Sequence, residues 1–174
     1  ALERGTTLYM VLLALYTIFL SKVSNGVDIV VGAPTAGRRH ADLEKIIGMF
    51  VNTLPLRNYP AGGKTFLEFL AEVKENTLKS LENQEYQYEE LVERVVVNRD
   101  LSRNPLFDAV FSLQNMDVPG LTVPGLELRP HEYETVTSKF DLVLEGMEVE
   151  AKENVLFRFE YSTKLFQRKT IEGF

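Results

Sequence analysis

The run Arg99-Asp100-Leu101-Ser102-Arg103-Asn104-Pro105-Leu106 concentrates side chains that could do chemistry, and it leads directly into the alternating segment Phe107–Asn115. Ser102 is the potential nucleophile, but neither a nucleophile elbow nor an oxyanion loop surrounds it. The alternative is a turn in which the side chains of Asp100 and Asn104 bond to the backbone. Chemistry alone therefore gives this run no catalytic assignment.

The histidine and cysteine content limits the catalytic and metal-binding chemistry that the chain can perform. The chain has two histidines, His40 and His131, and no cysteine. Each histidine lies in a polar segment without the paired or i, i+4 spacing that suits a metal. Neither has a nucleophile beside it in sequence, which leaves partners distant along the chain open. The lack of cysteine excludes disulfides, thiolate zinc sites, iron–sulfur clusters and cysteine nucleophiles, so the residues predict no metal site and no catalytic constellation.

Two polar residues, Asn52 and Thr53, interrupt the otherwise apolar run Ile47–Leu54. A buried asparagine costs about 1–3 kcal/mol for each hydrogen bond it fails to make, so the Asn52 amide needs partners. One interpretation is a structural asparagine that bonds a neighbouring loop. The other is an amide that points into a channel, and the residues alone do not decide between the two.

The loop Gly32–Gly37 has the outer glycines of a phosphate-binding loop. It lacks the Gly-Lys-Ser/Thr that completes such a loop, and glycines at this spacing are common in turns. We therefore expect a sharp exit from a buried strand, with Arg38 and Arg39 forming a solvated rim.

The composition limits the function classes. The chain has 174 residues, a formal net charge of -6 and 45% hydrophobic residues, enough for one domain with a core. Without a basic excess it is a poor general binder of nucleic-acid phosphates, and its charge fits a soluble cytoplasmic protein. The apolar stretch Leu8–Leu20 is shorter than the roughly 20 residues of a membrane span and lacks signal-peptide flanks. It predicts a helix buried nearly all round.

Hydrophobic periodicity predicts the elements that position these residues. The predicted helices are Leu8–Leu20, Ala41–Ile46, a helix after the capping box of Thr65 and Glu68, one carrying Tyr88–Val95, and Phe166–Phe174. The predicted strands are Val27–Val31, Met49–Arg57, Phe107–Gln114, Leu126–Tyr133, Phe140–Val149 and Val155–Tyr161. Pro55 marks its strand as an edge or bulge, and the last two strands form an antiparallel hairpin. This order predicts an α/β chain of the α+β sandwich type, with helices packed on a mixed sheet.

Three runs, in this order, resemble the second half of the condensation domain of non-ribosomal peptide synthetases. They are Ile47–Arg57, Asn83–Glu89 (similar to the family's His/Asn-Gln-Asp-x-Pro-Phe-Glu) and Arg99–Leu106. Asp28–Arg38 and Lys139–Leu142 support them, and the resemblance extends from about Gly5 to the C-terminus. One departure is Gln87, which stands where the family usually has proline.

The resemblance implies one lobe of a chloramphenicol acetyltransferase-like fold, in which two similar lobes form a V. The family's catalytic signature, His-His-x-x-x-Asp-Gly, belongs to the first lobe and does not occur in this sequence. Residues 1–174 are therefore expected to be the C-terminal lobe, inactive alone. In the family, the amine of one carrier-bound aminoacyl thioester attacks the thioester carbonyl of another in a tunnel between the lobes.

The resemblance also implies roles for particular residues. The expected tunnel residues are Asn52, Thr53, Gly32 and Pro34, with Asn52 as the main candidate. Arg99, Asp100, Arg103 and Asn104 are expected to form an architectural clamp without a catalytic role. A crossover toward the first lobe is expected at Val118–Gly125.

The partners implied by the resemblance are the first lobe, peptidyl carrier domains and an adjacent adenylation domain. Substrates would arrive on carrier-bound phosphopantetheine, and no cofactor would bind this chain directly. Nucleic acid and membrane are not expected, whereas self-association through exposed apolar surface is. Two alternatives stay open: a non-catalytic module that docks carrier domains, and a lobe of an epimerisation or cyclisation domain or a related acyltransferase. The pattern Phe111-x-Leu113-Gln114-Asn115 favours condensation over epimerisation.

Overall fold

The computed structural model describes residues 5–43, 45–95, 100, 102–114, 126, 137–149 and 154–174. Its helices are α1 (Leu8–Ser24), α2 (Phe66–Glu82), α3 (Tyr88–Val95) and α4 (Arg168–Glu172). Its strands are β1 (Ile29–Thr35), β2 (Asn52–Asn58), β3 (Ala109–Gln114), β4 (Leu142–Val149) and β5 (Asn154–Tyr161). No helix within these ranges is long and apolar enough to cross a membrane.

The five strands form one mixed sheet in the order β2-β1-β3-β4-β5. β1 is antiparallel to β2 and parallel to β3, while β4 is parallel to β3 and antiparallel to β5. β2 lies at the edge, which tolerates Pro55 because one side of an edge strand has no ladder partner. The predicted mixed sheet, the edge position of the proline-containing strand and the final hairpin are confirmed.

Capping residues set the bounds of the two long helices. The Met10 N–H donates to Thr7 Oγ1 at 3.2 Å at the start of α1, and Asn25 ends this helix with a left-handed φ of 54°. α2 begins with the predicted capping box of Thr65 and Glu68. These side chains satisfy backbone groups that the first turn of a helix leaves without intrahelical partners.

α1 and α2 pack on one face of the sheet and close the core. Phe111 of β3 is fully buried, and its ring lies 5.3 Å from the ring of Tyr9 and 5.9 Å from that of Tyr16 in α1. Because side chains alternate across a strand, every second strand residue points away from these two helices. We call the side opposite α1 and α2 the open face.

Several predictions about the elements are wrong. α1 is not buried nearly all round, since Leu15 is 50% and Val23 is 51% exposed. The helix predicted at Ala41–Ile46 is a 3₁₀ turn at Ala41–Leu43. β2 begins at Asn52, three residues later than predicted.

β1 also differs from its prediction, because it continues through Gly32 and Pro34 to Thr35 where the sequence predicts a loop. Pairing with β2 overrides the turn propensity of glycine and proline, since Gly32 lies opposite Pro55 and Pro34 lies opposite Thr53.

Other predictions fall outside the described residues. They are the strand Leu126–Tyr133 apart from the exposed Leu126, the crossover Val118–Gly125, and the surroundings of Arg99 and His131. These stay predictions.

Candidate functional site

Asn52, the main tunnel candidate, bonds the loop between α2 and α3. Its Nδ2 donates to the carbonyls of Gln84 and Tyr86, both at 2.9 Å, and its Oδ1 accepts from the Thr53 N–H at 2.9 Å. Both amide hydrogens are therefore used, and the residue is 7% exposed. Its position on β2 alternates with Thr53, which places it on the side of α1 and α2. These bonds match the structural interpretation of Asn52, and its tunnel role stays a prediction.

A second bond ties the end of β1 to the same loop. The Thr35 hydroxyl donates to Gln84 Oε1 at 2.8 Å, and Gln84 Nε2 donates to the Leu81 carbonyl at 3.0 Å. Thr35 is the cross-strand partner of Asn52, so Gln84 binds both strands at their shared end. Sequence reasoning did not single out Gln84, although its place as the second residue of the second motif run was a usable signal.

The third motif run is bonded to α3. The Tyr88 hydroxyl donates to Asn104 Oδ1 at 2.6 Å, and the same oxygen accepts from the Leu106 N–H at 3.4 Å. Burial raises the pKa of Tyr88 above its ordinary value. The hydrogen bond from the Leu106 backbone lowers this pKa, and the charge of Glu89 raises it. The phenol therefore stays protonated as a donor at neutral pH.

Asp100 and Ser102 interact within their own exposed turn. Asp100 Oδ1 accepts from the Ser102 hydroxyl at 2.7 Å and from the Ser102 N–H at 2.9 Å. Hydrogen bonding by Ser102 therefore holds the pKa of Asp100 below its usual range. A serine hydroxyl that donates to a neighbouring carboxylate in the open is not arranged as an activated nucleophile, which requires a base and an oxyanion site.

Arg103 links the turn to the start of β3 through an ion pair with Asp108. The pair raises the pKa of Arg103. Asp141, which precedes the neighbouring strand β4, has a raised pKa chiefly because of burial and secondly because of the charge of Asp108. In the part of the chain that the structure describes, no group of three or more acidic or histidine side chains could hold a metal.

The other three predicted tunnel residues lie on the open face. A Cβ at Gly32 would lie 2.3 Å from the ring of Phe107, so the ring can pack against the backbone only because residue 32 has no side chain. Pro34 lines an open cavity of about 880 Å³. Thr53 lines a second cavity, of about 420 Å³, between β2 and α3. Three of the four candidates thus share a face, and Asn52 lies on the opposite one.

The larger cavity has a polar floor that sequence reasoning missed. Glu145 of β4 accepts hydrogen bonds from Gln114 of β3 and Arg158 of β5, and its side chain is 14% exposed. Ser112 and Lys139 line the same cavity. The signal was present in the alternation of β3, which sends Ser112 and Gln114 to the face opposite Phe111. These side chains give the open face hydrogen-bonding groups as well as apolar surface.

Arg38 is not the solvated rim residue that the sequence predicts. Its guanidinium donates to the carbonyls of Leu43, Ile46 (2.8 Å) and Gly48 (3.2 Å). It also lies 4.4 Å from the centre of the Phe50 ring, within cation–π range. The five donors of a guanidinium allow one side chain to close a whole loop.

Arg39, in contrast, is exposed as expected, and His40 is exposed as well. Arg39 lies 3.6 Å from Glu85, and His40 Nδ1 lies 4.0 Å from Asp42, with the histidine side chain 82% exposed. Neither lines the two cavities described above. His40 therefore lies outside the two cavities of the candidate site.

The mixed five-stranded sheet with helices packed on it has the chloramphenicol acetyltransferase-like fold of the condensation-domain structures that it resembles. The chain belongs to the condensation-domain family, whose model it matches over residues 1–174. It is 59% identical over 172 residues to tyrocidine synthase 3 of Brevibacillus parabrevis, covering 99% of this chain and 3% of that protein. It is 54% identical over 172 residues to surfactin synthase subunit 1 of Bacillus subtilis (strain 168), covering 99% of this chain and 5% of that protein. The chain thus spans only a small part of these relatives.

Solved structures show the same fold at low sequence identity. A four-domain nonribosomal peptide synthetase bound to AMP and glycine matches with a TM-score of 0.85 at 24% identity, covering 95% of this chain and 14% of that one. The condensation domain of the monacolin K polyketide synthase matches with a TM-score of 0.82 at 21% identity, and the match covers 98% of this chain and 40% of that one.

Proposed function

We propose that this chain is the C-terminal lobe of a peptide-bond-forming condensation domain in non-ribosomal peptide synthesis, and that its open face forms one wall of the substrate tunnel. The observation that carries the proposal is the open cavity of about 880 Å³ on the open face of the sheet. Membership of the condensation-domain family over residues 1–174 supports it.

The proposed reaction joins two carrier-bound thioesters. The acceptor amine attacks the donor's thioester carbonyl, a C–N bond forms, the C–S bond breaks, and the thiol leaves with the proton that the amine loses. The main contribution of this chain is to hold the two reactants in near-attack geometry. General-base assistance would come from the histidines of the other lobe, since the described residues of this cavity include none.

The described residues divide into two proposed roles. Pro34 and Ser112 lie on the cavity wall and would contact substrate or its phosphopantetheine arm. Asn52, Gln84 and Asn104 hold the strand ends and α3 in place through the bonds described above. On this proposal, substitutions at the cavity-wall residues change activity, and substitutions at the residues that hold the strand ends and α3 change stability.

The proposed partners follow from the same assignment. They are the first lobe, carrier domains that deliver both substrates on phosphopantetheine, and an adjacent adenylation domain, all in the cytoplasm. The acidic composition and the absence of cysteine support that compartment.

The test supplies this chain with the segment that precedes the matching stretch in tyrocidine synthase 3, together with loaded carrier domains. We expect peptide formation that neither part gives alone. Ser112→Leu should lower the rate by about tenfold or more, because displaced reactants lose rate steeply, while the free energy of unfolding stays unchanged. Thr163→Leu, in an exposed turn, is the matched control and should keep full activity. If a folded complex of the two parts forms no peptide, the proposal is overturned.

A further inference from the structure

Three polar side chains on adjacent strands form a row on the floor of the larger cavity. Gln114 ends β3, Glu145 lies on β4 and Arg158 lies on β5. Gln114 Nε2 donates to Glu145 Oε1, and Arg158 Nη2 donates to Glu145 Oε2. Both oxygens of this carboxylate are therefore engaged, and only 14% of the Glu145 side chain is exposed. We call these three side chains the polar row.

The polar row determines which atom of the Gln114 amide is available to a ligand. A carboxylate oxygen only accepts hydrogen bonds, so the amide nitrogen must face Glu145 and the amide oxygen must point away from it. Gln114 lines the cavity, and no described residue donates a hydrogen bond to its amide oxygen. The row thus presents Gln114 Oε1 to the cavity as an oriented acceptor without charge.

An uncharged acceptor suits an amine that has to act as a nucleophile. A free carboxylate beside the amine would favour the ammonium form, which has no lone pair with which to attack. An amide oxygen accepts the amine N–H without becoming protonated, so the lone pair stays available. Glu145 does not compete for the amine, because its two oxygens bond Gln114 and Arg158.

The remaining titratable groups that the structure describes in this cavity are Tyr9, Lys139 and Glu160. Burial raises the pKa of Tyr9, so this phenol stays neutral, while Lys139 and Glu160 carry opposite charges. Because these groups are the same in every variant of residue 114, a shift of the pH profile in such a variant reports on residue 114.

We propose that Gln114 Oε1 accepts a hydrogen bond from the acceptor amine and thereby turns the amine lone pair toward the thioester carbonyl. Glu145 and Arg158 are positioning residues, because they act by fixing the Gln114 amide. The proposal rests on the proposed function above and adds the side chain that orients the nucleophile. Such orientation raises the rate because the reaction requires near-attack geometry.

The kinetic test uses the complex of this chain with the preceding segment of tyrocidine synthase 3 and loaded carrier domains. Gln114→Met keeps the size of the side chain and removes the amide, so kcat should fall by about tenfold or more. Gln114→Glu places a carboxylate beside the amine, so the pH of half-maximal rate should rise by about one unit. Gln167→Met and Gln167→Glu are the matched controls at an exposed residue without a side-chain cap bond, and they should change neither value.

Glu145→Gln tests the positioning role. An amide at residue 145 no longer requires the Gln114 nitrogen to face it, so kcat should fall by about fivefold or more while the pH of half-maximal rate stays unchanged. In the double variant Gln114→Met/Glu145→Gln, the loss should equal that of Gln114→Met alone. Glu148→Gln, at an exposed residue of the same strand outside the cavity lining, is the control and should keep the full rate. Additive losses in the double variant would refute the positioning role.

A binding measurement decides the proposal independently of peptide formation. Without a donor, at about pH 8, where much of the amine is neutral, the complex is titrated with a carrier whose arm holds glycine or with one whose arm holds acetate, which lacks the amine. Gln114→Met should weaken binding of the glycyl carrier by about threefold and leave binding of the acetyl carrier unchanged. Equal weakening of both would assign Oε1 to an N–H of the arm and overturn the proposal, as would unchanged binding of the glycyl carrier or an unchanged kcat. Selective weakening without peptide formation by the unaltered complex would uphold the amine contact and count against the proposed function.

Discussion

The hydroxyl of Tyr88 donates to Oδ1 of Asn104 at 2.6 Å, and this bond joins the second motif run to the third. The Tyr88 ring also lies 5.6 Å from the ring of Phe107, which occupies the space above Gly32. One side chain therefore holds α3, the loop before β3 and the open face of β1 in a fixed relation. Tyr88, Asn104 and Phe107 are thus linked to one another behind the open face.

The Tyr88–Asn104 bond can be measured with a double-mutant cycle. Tyr88→Phe should lower the free energy of unfolding by about 1 kcal/mol, and Asn104→Ala by more, because Leu106 loses a partner as well. The two effects should be coupled by about 0.5–1.5 kcal/mol in urea unfolding. Tyr86→Phe, at a residue that is 39% exposed, is the control and should change stability by less than about 0.5 kcal/mol. Fully additive effects would show that the bond contributes nothing.

Asn52 gives a prediction that separates its two interpretations. Asn52→Asp places a carboxylate against the carbonyls of Gln84 and Tyr86, so acceptors face acceptors and the free energy of unfolding should fall by about 3 kcal/mol. Asn83→Asp is the control, because that amide is exposed and donates only to the Lys79 carbonyl among the described residues. If Asn52→Asp leaves thermal unfolding unchanged and abolishes activity in the two-lobe complex, the amide serves the tunnel.

The sequence could predict features that follow from a regular local pattern and could not predict contacts that depend on the shape of an irregular loop. The capping box of Thr65 and Glu68 is local, and its prediction is confirmed. The partners of Asn52 are carbonyls more than thirty residues away, and no sequence periodicity predicts these contacts. Arg38 binds carbonyls of an irregular loop. From the sequence, a charged residue next to glycine is simply predicted to be solvated. Each unpredicted feature is thus a contact with backbone carbonyls of an irregular loop, whose position is set only when the loop has folded.

Gly32 should be intolerant of a single methyl group because of Phe107. Its backbone is not left-handed, so the cost of Gly32→Ala comes from overpacking against the ring and should be about 1–3 kcal/mol in unfolding free energy. In a Phe107→Leu background the same substitution should cost much less. Gly62→Ala is the control, since a Cβ there meets no described heavy atom within 4 Å. A full cost of Gly32→Ala in the Phe107→Leu background would refute steric contact as the cause.

Thr77 offers a stabilising substitution. It is 3% exposed, and within the described part of the chain its Oγ1 has no hydrogen-bond partner. Thr77→Val keeps the shape and removes the unpaired hydroxyl, so calorimetry should show an unfolding free energy higher by about 1 kcal/mol. Thr17→Val is the matched control, because the buried Thr17 hydroxyl donates to the Leu13 carbonyl at 2.7 Å. An equal gain from both variants would mean that the unpaired hydroxyl is not the cause.

Alkaline pH should unfold the chain through its buried tyrosines. Burial raises the pKa of Tyr9 and Tyr16 above the ordinary value of about 10, because a phenolate loses its hydration inside the core, and partial burial also raises the pKa of Tyr88. The neutral form is thus favoured in the folded state, so the stabilisation is complete below about pH 10 and is lost as pH rises toward the folded-state pKa values. Ultraviolet titration should show these phenols ionising together with the loss of helical circular dichroism. Tyr16→Phe, which also removes a buried hydroxyl without a partner among the described atoms, should shift that loss to higher pH. Ionisation of every tyrosine while the helices persist would contradict the prediction.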